Sequence, residues 1–317
     1  MIRLASLLAT IPLLFACQAG GESKSPSGNP ETSPEVRALV DRTLKQMVFV
    51  EGGTFMMGDY VHEPFPGDSG PAYWSRFWDS KPAHEVTLDG FHIGQYEVTF
   101  RDFDIYSHAN DLPLIKEKYI GHTKGHRQVR QPDRPAVFIN WHQARAYCRW
   151  LGELTGLPFD LPTEAQWEYA ARSRGRYVGF ATDNGLYEKG RNFPPFERYG
   201  HPVGTYPPNP LGLYDMSANA DEWVLDWYDP DYYKKSPKHN PKGPDTGTKK
   251  VVRGGSYWES PGGSTVYSRK AMAPNKQIST QGFRCVINRA TPIPQAYLPD
   301  PKALEKLREK PPAKPAR

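Results

Sequence analysis

The sequence predicts an α+β fold: one loop-rich domain with few short helices and irregular antiparallel sheets. Three observations predict it. Gly and Pro are abundant, 28 and 32 of 317 residues, so long uninterrupted helices and strands have little room. Only two segments, near 140–154 and 163–174, carry helical periodicity. Elsewhere short apolar runs alternate between turn signals, and aromatic residues make up 13% of the chain, ample material for a large core.

At the N-terminus a basic Arg3 precedes an apolar run from Leu4 to Ala16, too short to span a bilayer and shaped like a secretory signal. Its end, Leu14-Phe15-Ala16-Cys17, resembles a bacterial lipobox, which makes 1–16 a lipoprotein signal peptide and Cys17 the acylated first residue. Gln18 after that cysteine suggests sorting to the outer membrane, facing the periplasm. Ordinary secretion and an uncleaved anchor are the other readings of the same run. Residues 17–46 read as lipidated cysteine and tether. The Ser-, Gly-, Pro- and Glu-rich part to Pro34 spans roughly 20–25 Å as a coil, and Glu35–Gln46 reads as a short lead-in helix.

The domain proper is expected over 47–290. Met47–Gly58 reads as a hairpin about Gly52-Gly53, and His84–Leu88 with Phe91–Val98 as another about Asp89-Gly90. Asn140 caps a helix to Leu154, with Gln143 placed for a capping box and Ala144, Tyr147, Cys148 and Leu151 on one stripe. Thr163 and Gln166 repeat that logic for a second helix, to about Arg174. Residues 291–317 read as a Pro- and Lys-rich tail, with a short charged helix expected at Lys302–Glu309. From Pro292 on, six basic residues face three acidic ones, so much of the net charge of +5 sits there. The folded part is near neutral, which excludes a nucleic-acid footprint.

Few patterns carry chemistry unaided. Nine histidines are scattered, and the nearest pair, His122 and His126, lies in a Gly-containing loop that does not favour a helical ligand face. No nucleotide loop or nucleophile elbow is present. Trp141, Trp150, Trp167, Trp223 and Trp227 read as core. With Cys17 given to lipid, Cys148 and Cys285 remain in an oxidising compartment, where two buried thiols and one disulfide are both compatible.

Four segments together resemble one known family. They are Leu161–Ala171, Gly212–Trp223, Val-Val-Arg-Gly-Gly-Ser-Tyr at Val251–Tyr257, and Gln-Gly-Phe-Arg-Cys-Val at Gln281–Val286. The chain is similar here to the formylglycine-generating enzymes, or sulfatase-modifying factors, which implies their C-type-lectin-like domain. The resemblance implies a disulfide between Cys148 and Cys285. It also implies a structural calcium ion held by Asp215, the carbonyls of Ala218 and Ala220, and Glu222, with Asn219 bracing the loop. A second calcium site would begin at Arg191-Asn192-Phe193, where its downstream acid has only Glu197 as a counterpart.

The family's oxidases carry two copper-binding cysteines after Gly-Gly-Ser. Here Glu259 and Ser264 stand in those positions, and Asp221 replaces the usual aromatic residue. Carboxylate and hydroxyl are poor ligands for Cu(I), so the copper thiolate site is absent and any other redox metal is left open. Two functions follow. One is a non-catalytic binding or regulatory envelope lipoprotein, for type VI secretion or a similar pathway, holding an envelope protein or extended peptide in the family's groove. The other is a periplasmic oxidoreductase of siderophore-maturation type, with Glu259, Ser256 and Tyr257 as the residues to carry it.

Overall fold

The computed structural model describes residues 33–59, 78–121, 124, 128–195 and 199–293. Cys17, the signal segment, the tether to residue 32, His122, His126, Glu197 and the tail beyond 293 lie outside the described residues. Among the described residues there are four α-helices: α1 (Pro34–Lys45), α2 (Phe100–Ala109), α3 (Trp141–Thr155) and α4 (Glu164–Ala171). The strands are β1 (Met47–Val50), β2 (Gly53–Met57), β3 (His84–Leu88), β4 (Phe91–Gly94), β5 (Phe159–Asp160), β6 (Asp221–Trp227), β7 (Lys250–Arg253), β8 (Lys270–Met272), β9 (Gln281–Gly282) and β10 (Val286–Ile287). They form three small sheets, ordered β1-β4-β10-β5, β2-β3 and β8-β7-β6-β9, antiparallel except for the β6–β9 pair.

The predicted α+β class is what the chain adopts, but the local pairing differs. Met47–Gly58 is not a hairpin, because β1 pairs with β4 and β2 with β3. The two segments run past each other as one long ribbon, split where Gly52 crosses Asp89-Gly90. A Cβ on Gly52 would lie 2.5 Å from the Leu88 carbonyl oxygen, so only glycine allows this crossing. Strand partners were therefore chosen by distant burial rather than by the nearest turn signal.

The helices follow their caps. Asn140 and Gln143 form the capping box of α3, and Thr163 and Gln166 that of α4, which stops at Ala171 rather than at Arg174. The sequence reading missed α2, although Thr99 caps it by accepting from the Asp102 N–H. The expected lead-in helix at Glu35–Gln46 is present as α1. Pro34–Lys45 is a capped helix whose Val36, Leu39 and Leu44 are buried in the core against α2 and α3, so it belongs to the domain. Trp141, Trp150, Trp167 and Trp223 are buried as expected, and Trp227 is half-buried. Cys148 of α3 and Cys285, just before β10, form a disulfide with a Cα–Cα separation of 5.6 Å.

Candidate functional site

The Arg-Gly-Gly-Ser segment is positioned by a buried ion network. Arg253, at the end of β7, donates to Glu168 of α4 at 2.6 Å and to the carbonyls of Val266, Tyr267 and Ser268. Arg172 pairs with the same Glu168 at 2.9 Å, and Arg269 with Glu164 at 2.6 Å. Burial by itself would raise the Glu168 pKa. Arg172, Arg253 and the Gly58 N–H outweigh it and hold the carboxylate below its usual range. Cutting a fully buried pair of this kind costs about 3–5 kcal/mol, so α4 and the β7–β8 sheet are rigidly joined.

After Arg253 the chain turns through Gly254 and Gly255, both in the left-handed region at φ 95° and 77°. A Cβ on Gly255 would lie 2.1 Å from Ser264 Oγ, which folds the next loop tightly back on the strand. Ser256 is buried beneath this turn and accepts weakly from the Trp258 N–H at 3.4 Å. The Tyr257 N–H donates to the Asn219 carbonyl at 3.0 Å, its hydroxyl donates to the Ser279 carbonyl at 3.2 Å, and burial raises its pKa. Among the described residues Ser264 Oγ is buried without a hydrogen-bond partner.

Glu259 follows on the same turn, its N–H donating to the Ser256 carbonyl at 3.0 Å. Its carboxylate accepts from Lys270 Nζ, and the same ammonium donates to Asp221. Lys270 begins β8 and Asp221 begins β6, the two neighbours of β7, so the lysine spans the end of the central strand. Burial raises the Asp221 pKa, Lys270 pulls it back, and Glu259 adds to the rise. Two of the three positions where the sequence departs from the oxidase pattern, 221 and 259, are thus joined through a residue the sequence reading never singled out. The signal was the double departure itself: two new carboxylates at one site call for a cation.

The two acids expected to hold calcium, Asp215 and Glu222, hydrogen-bond within the protein. Both oxygens of Glu222 are occupied, by Arg284 at 2.6–2.9 Å and by the Trp167 indole N–H at 2.8 Å. Asp215 accepts from the Gly204 N–H at 2.7 Å, and burial pushes its pKa up to about 6. Glu97, also missed from sequence, is buried beside them. It accepts from Asn219 and the Ala220 N–H, and its pKa is raised first by burial, then by Asp215 and Glu222. Glu222, Glu97 and Asp215 all favour the charged form of Arg284. Among the described residues no group of three or more His, Cys, Asp or Glu is set to hold a metal ion. Glu222 pairs directly with the Arg284 guanidinium, and Asp215 adds to the field that favours its charge. Asn219 does brace the loop, accepting from the His201 N–H at 2.8 Å. The loop holds Asp215, Ala218 and Asn219 at positive φ, 59°, 92° and 64°, a conformation that persists only where surrounding contacts impose it. At the second site Asn192 donates to Asp183 at 3.0 Å, and Arg191 pairs with Asp183 and Glu188, again placing a guanidinium among the acids.

This fold, with its Arg-Gly-Gly-Ser turn and its disulfide-linked Gly-Phe-Arg-Cys strand, defines a domain of the sulfatase-modifying type. The chain belongs to the family described as Sulfatase-modifying factor enzyme 1-like domain, which matches residues 32–289. It is similar to the formylglycine-generating enzyme of Streptomyces coelicolor, at 30% identity over 82% of this chain and 94% of that protein. It is also similar to serine/threonine-protein kinase pkn1 of Chlamydia caviae, at 32% identity over 76% of this chain but only 37% of the kinase. Among solved structures, PvdO from Pseudomonas aeruginosa aligns with a TM-score of 0.62 and 28% identity, over 77% of this chain and 94% of that one.

Proposed function

We propose that this chain is a non-catalytic accessory protein of the bacterial cell envelope. It is anchored to the outer membrane through lipidated Cys17 and holds an envelope protein or extended peptide in the groove of its sulfatase-modifying scaffold. A type VI secretion system or a similar envelope pathway is the setting this reading favours. The observation that carries it is the Lys270 ammonium shared by Asp221 and Glu259. One oxygen of the Glu259 carboxylate already accepts from Lys270 inside the protein. Of the two positions where the family's copper oxidases carry thiolates, 259 holds a carboxylate in an internal ion pair and 264 a buried serine. The test is complementation of a deletion strain with Glu259→Gln: the reading expects full function from a normally folded variant, and loss of function would overturn it.

A second reading, a cysteine-free periplasmic oxidoreductase built on Glu259, is favoured by one observation. The Glu259 and Lys270 side chains retain 28% and 24% of their exposure, so the pair is reachable from solvent. Turnover of a reduced substrate by the purified chain, abolished in Glu259→Gln, would support this reading in place of the first.

A further inference from the structure

A cavity of about 440 Å³ opens between the Asp89-Gly90 turn, the 240–242 loop, the start of α4 and the segment after β10, and none of its lining residues belongs to the Asp221–Lys270–Glu259 group. That volume lies within the range of small-ligand sites, about 300–1,000 Å³. Its walls are made of side chains already locked in pairs. Arg145 forks onto Asp160 with three contacts of 2.9–3.3 Å. Asn240 and Asp89 exchange two hydrogen bonds of 2.9 and 3.0 Å, and Gln166 donates to Asn288 at 2.9 Å. Such pairing fixes the rotamers before any ligand arrives and reduces the ordering cost of binding.

The pairing also leaves hydrogen-bonding capacity on residues that line the cavity. Among the described residues Lys242 Nζ, Asn288 Nδ2 and Arg145 Nη1 donate to no protein atom, and Asp89 Oδ1 accepts from none. Two cations, Arg145 and Lys242, balance two carboxylates, Asp89 and Asp160. An anion such as phosphate would meet both carboxylates, and a cation would meet the guanidinium and ammonium. A purely apolar ligand would leave the free donors unsatisfied. A hydroxyl group both donates and accepts, and Leu88, Leu225 and Ala290 supply aliphatic wall against which the C–H face of a sugar ring can lie.

We propose that this cavity is a binding site for a neutral, hydroxyl-rich ligand, a short segment of an uncharged glycan. Lys242 and Asn288 are its exposed donors, and Arg145–Asp160 and Asp89–Asn240 are its fixed walls. The test is calorimetric titration of the full chain with chitotriose and with maltotriose, using triglycine as a polar but non-saccharide control. Saturable binding of at least one trisaccharide is expected. The Lys242→Ala/Asn288→Ala double variant should bind at least about tenfold more weakly, about 1.4 kcal/mol, with an unchanged melting temperature. Trp258→Ala, beside Glu259, should bind as the wild type does. Absence of saturable binding by either saccharide at millimolar concentration, equal binding by the double variant, or a preference for triglycine would each overturn the assignment.

Discussion

Replacing Lys270 by methionine keeps its bulk and removes the ammonium that Asp221 and Glu259 share. The three side chains differ in exposure: Asp221 retains 7%, Lys270 24% and Glu259 28%. An exposed pair contributes about 0–1 kcal/mol, whereas removing one partner of a buried pair costs about 3–5 kcal/mol. The Asp221 half of the bridge is close to the buried limit and the Glu259 half is not. Lys270→Met should therefore destabilise by about 2–3 kcal/mol, and Glu259→Gln by less than about 1 kcal/mol. At about 2–4 °C per kcal/mol for a domain of this size, the first lowers the melting temperature by roughly 4–12 °C. Most of the lysine's cost is an uncompensated carboxylate, so adding Asp221→Asn to Lys270→Met should recover more than half of the loss. The assay is a double-mutant cycle by urea unfolding with the disulfide intact. Additive effects, or a Lys270→Met variant as stable as wild type, would refute the bridge and with it the case against a free Glu259.

Three further outcomes are expected. The Cys148→Ala/Cys285→Ala variant opens a closure of 137 residues and should lose about 3–5 kcal/mol by denaturant titration. Arg284→Met should lower the melting temperature by several degrees, because the guanidinium supplies the countercharge to Glu222; chelation with EDTA tests the calcium expectation separately, a fall that added calcium restores showing a cation sharing the cluster. Asp226, beneath the start of α4, has its pKa pushed up to about 8, by burial first and then by Glu164. Because that pKa is raised, the protonated form is the one the fold favours; its contribution is complete below the ordinary carboxylate value and is lost as pH rises through 8. Asp226→Asn keeps an acceptor for the Glu164 N–H, so its stability relative to wild type should increase from about pH 4 to pH 8 by a few kcal/mol, at about 1.4 kcal/mol per unit.

Much of the scaffold was legible because its signals are local. The boxes at Asn140–Gln143 and Thr163–Gln166 fix the starts of α3 and α4 within four residues of chain, and the family segments fixed the disulfide partners. The two expected hairpins failed for the opposite reason. Each turn signal was real, but the strand edges found better-buried partners about 40 residues away, and Gly52 permitted the crossing. The candidate site was half legible: Glu259, Ser264 and Asp221 stood out as departures from a pattern, while Lys270 carries no motif and acquires its role only when β8 pairs with β7.

By itself, then, the sequence determined the α+β class, the caps of its two clearest helices, the family and the loss of the thiolate pair. Each of these depends on residue types or on spacings of a few residues. The tertiary structure decided where the charges go. Arg284 answers Glu222, Lys270 answers Asp221 and Glu259, and Arg253, Arg172 and Arg269 answer Glu164 and Glu168. A buried carboxylate must have a countercharge within a few ångströms. Folding, not spacing along the chain, chooses which cation supplies it.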